Sequence, residues 1–215
     1  LDDLSDGETN EDTDFVLELN GADVDGDDLT FLASVNNGSA SIDGTTLTVS
    51  PADNYNGDIV INVIASDGQA SASGSFTLTV NPVNDVPEIT AILDQTIDED
   101  TSLTLELSAS DIDGDDLTFS ASDGNSDIVV DGNVLTITPP ENHNNLDLGG
   151  ELITVNVSDG TVVVTTTFTL YINPVNDAPS LDDLSDGETD EDTDFVLELN
   201  GADVDGDALT FSAST

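Results

Sequence analysis

The first 35 residues of this chain return near its end. Residues 1–35 and 181–215 differ at only four positions, so the sequence closes a period of 180 residues. Close self-similarity at a fixed spacing is the signature of a repeat architecture, in which each repeat is a folded unit of the same type. The chain is therefore expected to be an array of similar domains.

A second, more diverged period lies inside the first, because four motifs recur in a fixed order. Glu-Asp-Thr occurs at 11–13, 99–101 and 191–193, and Asp-x-Asp-Gly-Asp at 23–27, 111–115 and 203–207. Ser-Asp-Gly occurs at 66–68 and 158–160, and Asn-Pro-Val-Asn-Asp-x-Pro at 81–87 and 173–179. The spacing predicts one domain over residues 1–86, a second over 87–178 and an incomplete third over 179–215. The motif steps of 88 and 92 residues make the second domain four residues longer, and we expect the extra residues in the Asn-rich loop at 143–150.

Hydrophobic and polar residues alternate within each predicted domain. Phe15, Leu17 and Leu19 are expected to face one way and Glu18 and Asn20 the other, and the segments 76–80 and 103–107 alternate strictly between apolar and polar residues. A period of two indicates half-buried antiparallel strands. About seven such runs per repeat, separated by Gly, Asn and Asp turns, predict an all-β, two-sheet sandwich. The third copy holds too few strands to close a core, so we expect a chain cut from a longer array or one completed by another chain.

Charge excludes several functions. The chain has 47 Asp and Glu residues, no Lys, no Arg and one His. Nucleic acid binding is excluded because its attraction to phosphates comes mainly from Lys and Arg, and binding to anionic membrane surfaces is excluded for the same reason. The aliphatic runs are too short for membrane insertion of this segment. Because Cys is absent, disulfides and thiolate metal sites are excluded as well.

The acidic residues gather at the predicted domain ends, in turns and in the proline-bearing linkers. Two carboxylates about 4 Å apart repel by up to about 4 kcal/mol at an effective dielectric of about 20. Since the chain has no Lys or Arg to offset this repulsion, a cation from solution must do so. Sites made of carboxylate, Asn and backbone oxygens suit Ca²⁺ better than Zn²⁺ or a soft metal. We therefore expect Ca²⁺ as the cofactor.

Three segments and one glutamate carry a family resemblance. Gly21–Asp27 resembles the cadherin Ala-x-Asp-x-Asp segment, Ala65–Gly68 the later Ala-x-Asp-x-Gly segment, and Val83–Pro87 the Val-Asn-Asp-Asn-Ala-Pro linker, one residue shorter. Glu11 falls where that family has its first-strand glutamate. The whole chain resembles the bacterial cadherin-like tandem repeats of large calcium-dependent surface adhesins. This resemblance implies seven-stranded Greek-key sandwiches of the cadherin or Ig-like type, arranged end to end with calcium between successive modules.

Carried over position by position, the resemblance also implies the calcium ligands. The ligands of the first junction would be Glu11, Asn84, Asp85, Asp111, Asp113 and Asp159. Those of the second junction would be Glu99, Asn176, Asp177, Asp203 and Asp205. Asp23, Asp25 and Asp67 would serve a preceding module, and Glu191 is the third copy of the glutamate. The third Asp of each turn, as in Asp27, Asp115 and Asp207, is a weaker candidate. The cadherin Asp-Arg-Glu segment is replaced here by Pro51-Ala52-Asp53-Asn54 and by Pro140-Glu141-Asn142.

These features predict a non-enzymatic, extracellular structural protein, at a cell surface or in a secreted filament. The leading hypothesis is a calcium-rigidified spacer or stalk of a bacterial surface adhesin, whose partners are neighbouring modules of the same chain or identical chains. The alternative is a self-assembling fibre subunit whose incomplete module is completed by a neighbouring chain. A carbohydrate- or protein-binding module would need an exposed aromatic platform, and the chain has seven Phe, two Tyr and no Trp. The adhesive target is not indicated.

Simpler explanations exist for each motif. An Asp-Gly pair most often only forms a turn, and an acidic surface can serve solvation alone. An EF-hand is rejected, because the Gly of residues 23–27 is fourth rather than sixth and position twelve is Ser34 rather than Glu. His143, which replaces Tyr55 of the first repeat, is expected to be a solvated loop residue rather than a general base.

Overall fold

The structure, a computed structural model, describes residues 1–2 and 4–214 and confirms the all-β prediction. Among these residues the only helical segment is the short 3₁₀ turn Leu146–Leu148. No helix in the described part of the chain is both long enough and apolar enough to span a membrane. The chain divides into two compact units, one formed by Leu1–Val86 with Asp111–Asp115 and the other by Pro87–Ser110 with the residues from Asp116 on. The three-domain division stays a prediction.

The first unit contains two sheets. Its strands are β1 (Gly7–Asn10), β2 (Phe15–Glu18), β3 (Thr30–Val35), β4 (Ser39–Asp43), β5 (Thr46–Ser50), β6 (Gly57–Ser66) and β7 (Ser71–Asn81). One sheet has the order β1-β7-β6-β3 and the other the order β2-β5-β4. β1 runs parallel to β7, and the other neighbours are antiparallel.

The predicted alternation places the core of the first unit between its two sheets. Ile59, Ile61 and Val63 of β6 are buried, while the residues between them are exposed. They pack with Leu47 and Val49 of β5 in the opposite sheet. Burying a side chain of this size contributes about 1.5–3 kcal/mol, so period-two burial along these strands stabilises the sandwich.

The second unit repeats this plan with additional strands. Its strands are β8 (Glu88–Ile89), β9 (Gln95–Asp98), β10 (Leu103–Glu106), β11 (Ala109–Ser110), β12 (Thr118–Ser122), β13 (Asp127–Asp131), β14 (Val134–Thr138), β15 (Glu151–Ser158) and β16 (Val163–Asn173). The sheet orders are β12-β15-β16-β9 and β10-β14-β13, with a separate pair β11-β8. That short pair accounts for the excess over the seven predicted strands, and the Greek-key connectivity stays a prediction.

The four extra residues of the second repeat lie where they were expected. Asn142 N–H donates to Asp100 Oδ1 just as Asn54 N–H donates to Asp12 Oδ1, so the two loops correspond up to this point. The 3₁₀ turn then follows, whereas in the first repeat β6 begins at once. His143 is partly buried, with Nε2 at 2.6 Å from Glu151 Oε1. The expectation that this histidine is solvated is therefore wrong.

Asn145 makes side-chain contacts that replace strand pairing in the longer loop. It is 2% exposed, accepts a hydrogen bond from Ile172 N–H at 2.8 Å and donates to Leu170 O at 3.1 Å. In the first repeat, the backbone from Gly57 to Ile59 pairs with the corresponding part of β7. The Asn145 amide thus takes the hydrogen-bonding place of a strand backbone, so that Leu170 O and Ile172 N–H of β16 have partners.

The third copy of the sequence does not form the strands of the first copy. Its described residues, up to 214, form two short strands, β17 (Ser180–Leu181) and β18 (Gly201–Ala202), which pair with each other. Phe195 is 52% exposed, although the identical Phe15 packs against the first core. No described side chain from residue 181 to 214 is fully buried. The expectation of an incomplete third domain over residues 179–215 stays a prediction.

We expect Asn145→Ala to destabilise the second unit by about 2 kcal/mol, because the substitution leaves a buried N–H and a buried carbonyl without partners. Urea unfolding of the metal-free chain measures the loss. Asn62→Ala, at an exposed position of β6, is the matched control and should change stability little. Equal stability of the two variants would contradict the role assigned to Asn145.

Candidate metal centre

Carboxylates converge at one end of the first unit. We call Glu11, Asp12, Asp85, Asp111 and Asp113 the first acidic cluster. Glu11 directly follows β1, Asp85 lies in the linker after β7, and the last two lie in an Asp-x-Asp-Gly-Asp turn. Glu11 Oε1 accepts a hydrogen bond from Val83 N–H. Asp113 Oδ2 accepts a hydrogen bond from Asp85 N–H at 2.7 Å, so the linker is bound to both the glutamate and the turn.

Two carboxylate oxygens in this cluster are buried without a hydrogen-bond partner. Glu11 is 3% exposed, and its Oε2 has no partner. Asp111 Oδ1 accepts from Asp113 N–H at 2.9 Å, while its Oδ2 has no partner. One carboxylate oxygen from each of Asp111, Asp113 and Asp115 lies within 4.8 Å of the others. Because buried polar atoms nearly always have a hydrogen-bond or ionic partner, we expect a positively charged ligand at these oxygens.

The electrostatics of the cluster appear most clearly at Asp85. Burial raises the pKa of Asp85 above its ordinary value, and four neighbouring carboxylates raise it further, those of Asp113, Asp12, Glu11 and Asp111. The ionised form is thus disfavoured on both counts, because burial removes water and the neighbours have the same charge. A bound cation would reverse the second effect.

Two residues of this site were not predicted as site residues, Asp12 and Asn54. Both have a left-handed backbone, with φ of 56° and 55°, and Asn54 N–H donates to Asp12 Oδ1 at 3.0 Å. With its amide nitrogen turned toward the cluster, Asn54 also donates to Asp85 Oδ2 at 3.2 Å and to Asp12 Oδ2 at 3.3 Å. Asn54 lies in the segment that replaces the cadherin Asp-Arg-Glu, which was the one signal for it.

A second acidic cluster in the second unit repeats this arrangement. It consists of Glu99, Asp100, Asp177, Asp203 and Asp205. Glu99 is 3% exposed and accepts from Val175 N–H at 2.6 Å. Asp205 Oδ2 accepts from Asp177 N–H at 2.7 Å, the same contact at the same distance as in the first cluster. Burial raises the pKa of Asp177, followed by the charges of Asp205, Asp100, Glu99 and Asp203.

The two clusters differ in which oxygen lacks a partner. In the second cluster, Glu99 Oε2 accepts a hydrogen bond from Asn144 Nδ2 at 3.4 Å. The buried oxygen without a partner is instead Asp177 Oδ2. The longer loop of the second repeat supplies Asn144, so the insertion alters the site as well as the fold.

The remaining predicted ligands have individual positions. The side chains of Asn84 and Asn176 each donate to the backbone oxygen of the following aspartate, at 2.7 Å in both cases. Asp23 and Asp67 line one shared depression of the first unit, and Asp25 is exposed beside Asp23. Asp159 belongs to the second unit and accepts from Thr161 N–H and Val162 N–H, both at 2.6 Å. Glu191 is exposed, unlike its two buried counterparts.

The simpler explanation of the aspartate turns also holds, because their first aspartate shapes the backbone. Asp23 Oδ1 accepts from Asp25 N–H at 2.8 Å, and Asp111 Oδ1 makes the equivalent contact. The glycine of each turn has positive φ, for example +77° at Gly114. One oxygen of the first aspartate therefore forms the turn, and the other stays available to a ligand.

All-β units with acidic clusters at their turns define a tandem β-sandwich repeat protein. Residues 2–81 match the family model of the cadherin-like domain, and residues 84–172 match that of the bacterial Ig domain. These matches support tandem repeats of the bacterial cadherin-like and Ig-like kind over residues 2–81 and 84–172. Domains of these kinds are non-catalytic repeat and adhesion modules, typically extracellular, and cadherin-like domains generally bind calcium.

Similar proteins were found among curated sequences and solved structures. Chitinase A of Pseudoalteromonas piscicida is 29% identical over 175 residues, which are 77% of this chain and 20% of that protein. The human desmocollin-1 ectodomain is 15% identical, with 82% of this chain and 41% of that chain covered and a TM-score of 0.38. The endo-fucoidan hydrolase MfFcnA4 of glycoside hydrolase family 107 is 24% identical, with 79% and 27% covered and a TM-score of 0.32. TM-scores of this size carry no argument about function, and the chain spans only a fifth of the curated relative.

We expect Asp85→Asn to stabilise the metal-free chain at neutral pH. A raised pKa means that the folded state binds the Asp85 proton more tightly than the unfolded state does, so stability increases as pH falls through the folded pKa and is lost as pH rises. Thermal melting in EDTA between pH 7 and pH 4 should show this gain in the wild type and a smaller slope in the variant.

The matched control is Asp43→Asn, at an exposed position at the end of β4. It should keep the wild-type pH dependence. A lower metal-free melting temperature for Asp85→Asn at pH 7 would mean that the carboxylate is held by favourable contacts, contrary to the direction of its pKa shift.

Proposed function

We propose that the two acidic clusters bind Ca²⁺ and that the chain is a calcium-rigidified extracellular spacer of a bacterial surface adhesin. The observation that carries this proposal is that three carboxylate oxygens of these clusters are buried without a hydrogen-bond partner, Glu11 Oε2, Asp111 Oδ2 and Asp177 Oδ2. The chain has no Lys or Arg that could neutralise them. Unpaired buried charge is strongly destabilising, so a solution cation is the remaining partner.

The donor atoms of both clusters fit calcium. Ca²⁺ takes six to eight oxygen ligands from carboxylates, Asn side chains, backbone carbonyls and water, and it tolerates irregular geometry. In the first cluster, Glu11, Asp85, Asp111 and Asp113 would hold the ion. In the second cluster, Glu99, Asp177, Asp203 and Asp205 would do so. The ion supplies the positive charge, and the chain supplies preformed oxygens on linkers that two prolines each make stiff.

Stiffness would arise because each cluster combines parts of two sequence repeats. Asp111–Asp115 belongs by sequence to the second repeat, yet it groups with the first unit. An ion shared by Asp85 of the linker and Asp111 of this turn would bind the two repeats together. Such binding stabilises the ordered state by about 2.7 kcal/mol at a hundredfold excess of calcium over Kd.

The proposed affinity suits an extracellular location. Extracellular calcium modules bind with Kd values of about 10⁻⁴–10⁻³ M. At such values the repeats would stay flexible in a calcium-poor cytosol and become ordered outside the cell. Because the matched domains are repeat and adhesion modules, we assign the chain to the stalk of an adhesin rather than to an enzyme.

A second candidate, the fibre subunit, is favoured by the exposed apolar residues of the third copy. Val196 is 82% exposed and Phe211 47% exposed, so strands from a neighbouring chain could cover them. Mass measured against calcium concentration separates the two functions. A monomer that only lengthens supports the spacer, and ordered polymers support the fibre.

We expect calcium to raise the melting temperature of the chain and to reduce its flexibility in small-angle scattering. Glu11→Gln and Glu99→Gln should each lose part of both effects, because each removes a buried charge from one cluster. Glu8→Gln, on the exposed side of β1, is the control and should respond like the wild type. Identical scattering and melting curves in calcium and in EDTA would refute the calcium mechanism.

A further inference from the structure

The outer side of β3, β6 and β7 in the first unit carries a surface without charge. Over the described residues 30–34, 60–66 and 71–77, every side chain that points away from the core is Ser, Thr, Asn or aliphatic. We call this surface the neutral face. The carboxylates of the same sheet lie at one end, where Glu8 and Asp58 pair with Thr79 from its two sides. Since 47 of the 215 residues are Asp or Glu, the neutral face is an exception in this chain.

Two exposed aliphatic side chains lie next to each other on the neutral face. Leu32 of β3 and Ile64 of β6 are opposite in the antiparallel register and are 69% and 41% exposed. Val60, further along β6, is 44% exposed. The matching pair of the second unit is Ser120 and Asn156, in the same register. The sandwich therefore forms without aliphatic residues at these two positions, so the fold does not explain Leu32 and Ile64.

Charge indicates which partner suits the neutral face. A basic partner would gain no ionic contact there and would be attracted to the acidic clusters instead. A partner as acidic as this chain is repelled wherever carboxylates face each other, so the neutral face is where it can approach at the lowest cost. A second copy of the chain is such a partner.

The neutral face is also complementary to itself in shape. Leu32, Ile64 and Ser73 lie in one row across the sheet, because Ile64 pairs with both of the others. The side chains become smaller along this row, from Leu32 to Ser73. A twofold axis parallel to β6 would place Leu32 of one copy over Ser73 of the other and Ile64 opposite Ile64. Contacts with twofold symmetry use the same patch on both copies in this way.

We propose that the neutral face of the first unit binds a second copy of the chain through Leu32 and Ile64. The face extends about 20 Å along β6 and about 10 Å across three strands, which is well below the about 800 Å² per partner of a standard interface. A single contact is therefore weak. The inference rests on the proposed function in one respect, because stalks held close together on one surface would add many such contacts.

The test is sedimentation equilibrium of the full chain in EDTA at an ionic strength of about 1 M, where the Debye length is about 3 Å and repulsion between copies is screened. We expect a weak dimer whose fraction rises with concentration. Leu32→Ser combined with Ile64→Asn, which reproduces the pair of the second unit, should weaken dimerisation about tenfold or more. Val16→Thr removes a 58% exposed aliphatic side chain from β2 in the other sheet and should dimerise like the wild type.

Cross-linking then locates the contact. Because the chain has no Cys, Asn62→Cys introduces a single thiol on β6 between Val60 and Ile64. Under mild oxidation it should form disulfide-linked dimers faster than Ser41→Cys, an exposed position of β4 in the other sheet.

Three outcomes would overturn the proposal. The first is a wild type that stays monomeric at every concentration, and the second is equal cross-linking of the two cysteine variants. The third is a dimer that forms only in calcium, since the ion would then bridge carboxylates of two copies. A chain that dimerises in EDTA but does not respond to calcium would contradict the calcium mechanism and leave the role of the neutral face intact.

Discussion

Repulsion between like charges that no basic side chain can relieve is the constraint on which this protein depends. The cores of its two units are ordinary, since alternating aliphatic side chains fill the space between sheets. The two acidic clusters are different. Their buried carboxylates Glu11 and Glu99 accept hydrogen bonds from backbone N–H groups of the linkers and also lie near further carboxylates. The backbone contacts position these acids, and their charge remains for a cation to neutralise. If the proposed calcium binding holds, the order of the chain depends on the cations in its solvent.

The repeated 35-residue segment shows that local sequence does not determine its own structure. Residues 7–10 form β1 only because β7 of the same repeat offers a parallel edge. Phe15 becomes half-buried because the first core lies beside it, and the identical Phe195 stays exposed. Strand propensity is a preference for a pleated and partly buried surface, so the surface must come from elsewhere in the chain.

Much of the fold could be predicted because the alternation of apolar and polar residues along the sequence directly indicates which strand residues are buried. The strands around Leu105 and Leu78 follow from alternation alone, and the position of the insertion follows from the motif spacing. The pair β8–β11 and the left-handed backbone at Asp12 and Asn54 could not be predicted, since they depend on contacts between segments that the residue pattern does not specify. The environment of His143 was missed for the same reason, because its partner Glu151 lies across a loop whose path the residue pattern does not specify.

The insertion in the second repeat connects these findings. In the first repeat the loop enters β6 directly, and Glu11 keeps one oxygen without a partner. In the second repeat the longer loop brings Asn144 to the matching oxygen of Glu99, Asn145 to the edge of β16, and His143 to Glu151. A neutral amide hydrogen bond reduces the electron density that Glu99 can offer an ion, while Asp177 Oδ2 remains without a partner. Four added residues thus make two otherwise similar clusters chemically different, so the two proposed cation sites are not expected to have the same affinity.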